Sequence, residues 1–140
     1  MQVSLAVLAD CANITQDGKI NVMGIFGEVN PPTMPCQLPT MCLVLGFTAS
    51  PIEVGTEKRL EIVLIDPDGN RLLQLNNNVI VPLPKRPGNS SSLASIIALN
   101  GVQFQTFGNF HFSILVNGEE KTTVPVRVNN PMSGIPEGEL

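Results

Sequence analysis

The chain has 140 residues, of which 43% are apolar and only 14% charged, and its net charge is −4. That length fits one domain able to bury roughly 68% of its unfolded surface, so it needs neither disulfide nor metal to hold a core. Eight scattered Lys and Arg with a pI near 4.8 exclude the basic face of a nucleic-acid binder, and six Phe without Trp or Tyr weigh against a stacking platform for bases or sugars.

In chain order, residues 2–9 alternate with Val3, Leu5 and Val7 on the inward face. A polar loop with Asn13, Asp17 and Lys19 follows. Residues 19–27 alternate again, with Ile20, Val22 and Phe26 inward. Pro31, Pro32, Pro35 and Pro39 keep the next stretch out of a ladder, because proline lacks the backbone donor. Residues 40–48 form a third strand with Met41, Leu43, Leu45 and Phe47 inward, and 57–66 a fourth with Leu60, Ile62 and Leu64 inward. Asp66-Pro67-Asp68-Gly69-Asn70 has the composition of a type I turn ending in a left-handed glycine. Residues 71–81 are irregular around Asn76, Asn77 and Asn78, consistent with a bulge. A Pro/Ser loop spans 82–92. Residues 92–99 read as strand, with a short helix as the competing reading. Residues 109–117 carry the clearest period of two: Phe110, Phe112, Ile114 and Val116 on one face, His111, Ser113 and Leu115 on the other. A last strand spans 121–128 with Val124, Val126 and Val128 inward.

Asp17-Gly18, Asp68-Gly69, Asn100-Gly101 and Asn117-Gly118 lie between these runs and read as hairpin turns. The sum is an all-β chain: a two-layer antiparallel β-sandwich of seven or eight strands over 1–128, with an irregular tail over 129–140. Immunoglobulin-like topology is one candidate; a jelly roll and an open barrel are others.

A half-buried strand turns polar residues to water on its second face. Here the positions opposite the expected core are Ala6, Leu8, Met23, Ile25, Cys42, Val44, Val63, Ile65 and Leu115. With so little charge to cover the outside, these residues form the expected interaction face, taken together on one sheet. Either a second protein, another copy of the chain included, or the loops at 31–39 and 82–92 would cover it.

No constellation for catalysis stands out. His111 is the only histidine and points away from the core between two inward phenylalanines. Cys11, Cys36 and Cys42 are odd in number, and the spacing of the last two is too wide for a zinc pair. Asp66, Asp68 and Asn70 alternate like calcium ligands but lack the downstream glutamate, and turn chemistry explains them. An enzyme would need Asp10, Asp66 or His111 to meet in one cleft with perturbed pKa values. The expectation is no enzyme, no cofactor and no metal. The 84–87 stretch matches a minimal PxxP pattern that a loop also explains. The first residues lack the cationic start of a signal peptide, and no run spans a membrane, so the expected setting is the cytoplasm without membrane or nucleic-acid partners.

Ala9-Asp10-Cys11-Ala12-Asn13, the run from Asp17-Gly18-Lys19 through Gly24-Ile25-Phe26, and Asn117-Gly118-Glu119-Glu120-Lys121 followed by Val124-Pro125-Val126 resemble an uncharacterised bacterial family of about this length, described only as a domain of unknown function. The resemblance implies a self-standing bacterial β-sandwich domain and supplies no activity or site residue. The function expected is therefore that of a non-enzymatic sandwich acting through protein–protein contacts or self-association. The alternative is a small-ligand module with an apolar cleft at the sandwich edge.

Overall fold

A computed structural model describes residues 1–130. Nine strands are present among them: β1 (Gln2–Ile14), β2 (Ile20–Phe26), β3 (Glu28–Val29), β4 (Cys36–Ala49), β5 (Glu57–Ile65), β6 (Arg71–Ile80), β7 (Ser91–Phe104), β8 (Gly108–Val116) and β9 (Glu119–Val128). The count exceeds seven or eight because the two-residue β3 carries no periodic signal. One 3-10 turn, Pro51–Glu53, is the only helical element among the described residues. The expected irregular tail lies outside the described residues from position 131 onward.

The strands form two sheets, not one rolled barrel. Sheet 1 has the order β2-β1-β4-β7 and sheet 2 the order β3-β9-β8-β5-β6. All pairings are antiparallel except β3 with β9. Core side chains come from both layers: Leu8, Met41, Leu43, Leu45, Phe47 and Leu99 from sheet 1, and Leu60, Ile62, Leu64, Phe110, Phe112, Ile114 and Val126 from sheet 2. Period-two alternation in β4, β5, β8 and β9 turns these residues inward as the sequence implies. Truncating a ring as enclosed as Phe112, 0% exposed, costs about 3–5 kcal/mol in such a core.

Three of the four Gly dipeptides close hairpins. Asn117 and Gly118 both have positive φ, 52° and 81°, as a two-residue turn requires. Asn117 also ties the turn to β5, donating its amide to the Arg59 carbonyl at 2.9 Å and accepting the Arg59 amide on Oδ1 at 2.8 Å. The Asp66 carboxylate caps its own turn, with Oδ1 accepting the amides of Asp68 at 3.0 Å and Asn70 at 2.7 Å. Asn100-Gly101 is the exception. It lies inside β7, which runs unbroken through the stretch where a helix competed and on through the supposed turn.

Gly101 instead breaks the alternation. Leu99 and Phe104 are both in the core although they stand an odd offset apart, and across the ladder Met41 is in the core while Leu38, also an odd offset away, packs against it. Leu38 pairs with Val102 and Thr40 with Asn100, so Pro39 faces Gly101, whose φ is 69°. Both strands change faces together and keep register. Pro39 is thus inside β4, contrary to expectation. It is tolerated because β1 leaves β4 at Ala9↔Cys42, so residues 36–40 have a neighbour on one side only.

β1 holds a second correction. Its register with β4 slips between Val3 and Leu5. Val3 opposes Phe47, then Ala6 opposes Leu45 and Leu8 opposes Leu43. The extra residue turns every later side chain over. Ala6 and Leu8, expected outside, point inward, and Leu8 is 1% exposed. Leu5 and Val7 take the outer positions.

Candidate functional site

The remaining interaction-face residues fall on two different surfaces. Met23, Ile25, Cys42 and Val44 lie on the outer side of sheet 1, whereas Val63, Ile65 and Leu115 lie on the outer side of sheet 2. They do not make one patch. On sheet 1 the register adds Leu5, Val7, Ala9, Ala94, Ile96 and Ala98 to the first group. None of these is charged. Met23 and Ile25 are 63% and 62% exposed. Ala9 and Val44 are wholly buried, although neither belongs to the core between the layers. Leu5 and Val7 were expected inward because residues 5–9 are apolar throughout, leaving no polar position to mark which side faces out, and Ala94, Ile96, Ile97 and Ala98 leave the same ambiguity in β7.

Sheet 2 surrounds its outward apolar residues with polar ones. Arg59 Nη2 reaches Glu61 Oε1 at 2.8 Å, and Gln74 Nε2 donates to Glu61 Oε2 at 3.4 Å. Ser113 Oγ donates to Glu120 Oε1 at 2.8 Å. Val63 is buried beneath this layer.

A cleft of about 530 Å³ opens at the sandwich edge between β6 and β7. Leu64, Leu99 and Phe110 form its buried floor, and Leu72, Leu73 and Leu75 form one wall. Asn100, Gln103, Gln105 and Thr106 supply neutral polar groups. Asp66 also lines it, but its carboxylate is engaged by the turn it caps. An apolar cleft with a few polar groups is the feature that a small-ligand module requires.

The groups weighed for catalysis are dispersed. Asp10 sits in β1 over Gly24 of β2, where an added Cβ would overlap its carboxylate. His111 pairs with Pro125 and Ile65 in sheet 2. Only Asp66 of the three lines the β6–β7 cleft. No three His, Cys, Asp or Glu side chains cluster to hold a metal among the described residues, whose three cysteines are free. No helix among the described residues is long and apolar enough to cross a membrane.

Two carboxylates are perturbed, both by structural bonds. Glu53 Oε1 accepts from the Met1 amino group at 2.6 Å and lies 3.2 Å from Lys58 Nζ, while Oε2 accepts the Ser50 amide at 2.8 Å. These bonds, the amino group's first, hold Glu53 down from 4.5 to about 2. The Thr15 hydroxyl, above all, holds Asp17 below the usual carboxylate range. Lys19 stands 3.4 Å from Asp17, and Lys85 donates to its carbonyl at 3.1 Å. The loop with Asn13, Asp17 and Lys19 therefore spends its polar groups on holding the hairpin and fastening it to the 82–90 connection.

A family model described as "Family of unknown function (DUF6941)" matches residues 4–129. The chain belongs to that family. The turn-and-strand runs at 9–13, 17–26 and 117–126, which carried the resemblance, all lie within the matched span, and so does every strand from β2 to β9. No curated protein matches the chain in sequence. Among solved structures it is similar to an immunoglobulin-like protein from Pseudomonas aeruginosa, at 11% identity and a TM-score of 0.40, over 91% of this chain and 95% of that one.

Proposed function

We propose that this DUF6941 member is a non-enzymatic cytoplasmic protein that works by protein–protein contact. Its outer sheet 1 face joins a second copy of the chain. The observation that carries this reading is the uncharged surface running from Ile25 and Met23 across Ala9 and Cys42 to Ile96 and Ala98. Exposed apolar residues on one contiguous face are the usual mark of an interaction surface. Identical faces also meet without like-charge repulsion when neither bears a charge, and a two-fold contact uses the same patch twice. The low charge content and acidic balance fit a partner that is neither nucleic acid nor an anionic membrane.

Light scattering across a concentration series tests the reading. The wild type should pass from monomer to dimer, and Ile25→Lys should hold it monomeric with an unchanged circular dichroism spectrum. A wild type that stays monomeric at high concentration would sink it.

A further inference from the structure

We infer that the β6–β7 edge is a strand-acceptor groove, which binds an extended, uncharged segment of a partner protein carrying apolar side chains at every second position. Three features meet here. β7 is the last strand of sheet 1, and its fourteen residues include no charge and no proline. Among the described residues, no backbone–backbone hydrogen bond outside the ladders involves β7, and the Gly101 carbonyl, which accepts from Gln37 Nε2 at 3.3 Å, is the one group of residues 98–103 with a side-chain bond; the other N–H and C=O groups on the free side are open to a new strand. Such a row selects an extended peptide, because only backbone in that geometry satisfies it.

The cleft gives the row its specificity. It is lined along residues 98–103 of β7 and faced by Leu72, Leu73 and Leu75 of β6. A strand laid against β7 turns alternate side chains toward the gap between the layers and the others to the outside. The inward ones would rest on Leu64, Leu99 and Phe110. Residues 98–103 accommodate a segment of about six residues, roughly 20 Å of strand. Charge has no place in that segment, because the lining offers neutral amides and one carboxylate already bonded to its turn. Natural edges are protected by lysine, proline or a bulge that turns them away. Here the one irregularity in β7, Gly101, leaves it in register with β4, and no strand among the described residues covers the edge.

This inference stands apart from association through the outer face, and the experiment separates them. Ile25→Lys protein is titrated with fluorescein-labelled ten-residue peptides that alternate valine and threonine between terminal lysines. The same peptides with a central proline serve as the comparison. The alternating peptide should bind and slow amide exchange at 98–103, and the proline version should bind at least tenfold more weakly. Leu73→Glu should weaken binding tenfold or more. Leu72→Lys, at a position 47% exposed, should do the same without harm to folding. Four outcomes overturn the inference: no peptide binding at millimolar concentration, equal binding of the proline peptides, binding untouched by both leucine substitutions, or occupation of the cleft by a fatty acid alone. Dimerisation of the Ile25→Lys protein through residues 98–103 would also overturn it, by assigning the groove to a second copy.

Discussion

The two outer faces of this sandwich are built from the same backbone geometry and treat water in opposite ways. On sheet 2, Val63 is covered by neighbours that carry charge, amide or hydroxyl groups, among them Glu61, Gln74 and Ser113. On sheet 1, Val44 is covered just as fully, but the neighbours in register are Val7 and Ile96. Burial alone does not distinguish the faces; what does is the chemistry of the residues around the buried one. A sheet meant to stay wet ends its apolar centre in polar groups, and sheet 1 ends it in Met23 and Ile25.

Charge introduced on each face should separate them most sharply. Val44→Asp places a carboxylate at a fully buried site without a partner and should cost more than about 3 kcal/mol in urea denaturation. Thr123→Asp, exposed on sheet 2, should change stability by less than about 0.5 kcal/mol. Equal costs would erase the distinction. A smaller effect is expected at Gly101, whose φ of 69° disfavours any side chain. Gly101→Ala should lose about 1–2 kcal/mol, measured the same way, through the left-handed backbone and the Gln37 amide that the new Cβ would meet at 3.0 Å.

Among the substitutions expected to destabilise, the smallest effect lies at Glu53. Glu53 has a folded pKa below its ordinary value, so its contribution is complete above about pH 4.5 and fades as pH falls toward 2. Glu53→Gln should therefore lower the melting temperature by a few degrees at pH 7. The gap from wild type should close progressively between pH 4.5 and 2. A gap that is constant with pH would remove the ionic role.

How much of this was legible in the sequence depends on parity. The β8–β9 hairpin was readable because His111 and Ser113 alternate with three phenylalanine or isoleucine neighbours, and a second alternating run follows Asn117-Gly118. Met41 to Phe47 was readable by the same alternation. The faces of β1 were not, because Ser4 is bulged and Leu5, Ala6, Val7, Leu8 and Ala9 offer both sides equal apolarity. Asn100-Gly101 misled for a related reason. Glycine supplies positive φ to a turn and to a strand that changes faces, and local sequence does not tell the two apart. The β6–β7 cleft depends on which edges lie across from each other, which no local pattern encodes.

Phe104, at the end of β7, meets Phe110 edge-on, with ring centroids 5.0 Å apart and planes at 75°. That contact bolts the far end of the bare edge to the opposite layer. For the strand-acceptor groove inferred above, the consequence is preorganisation: β7 is held in ladder geometry before any partner strand arrives, and less entropy is lost on binding.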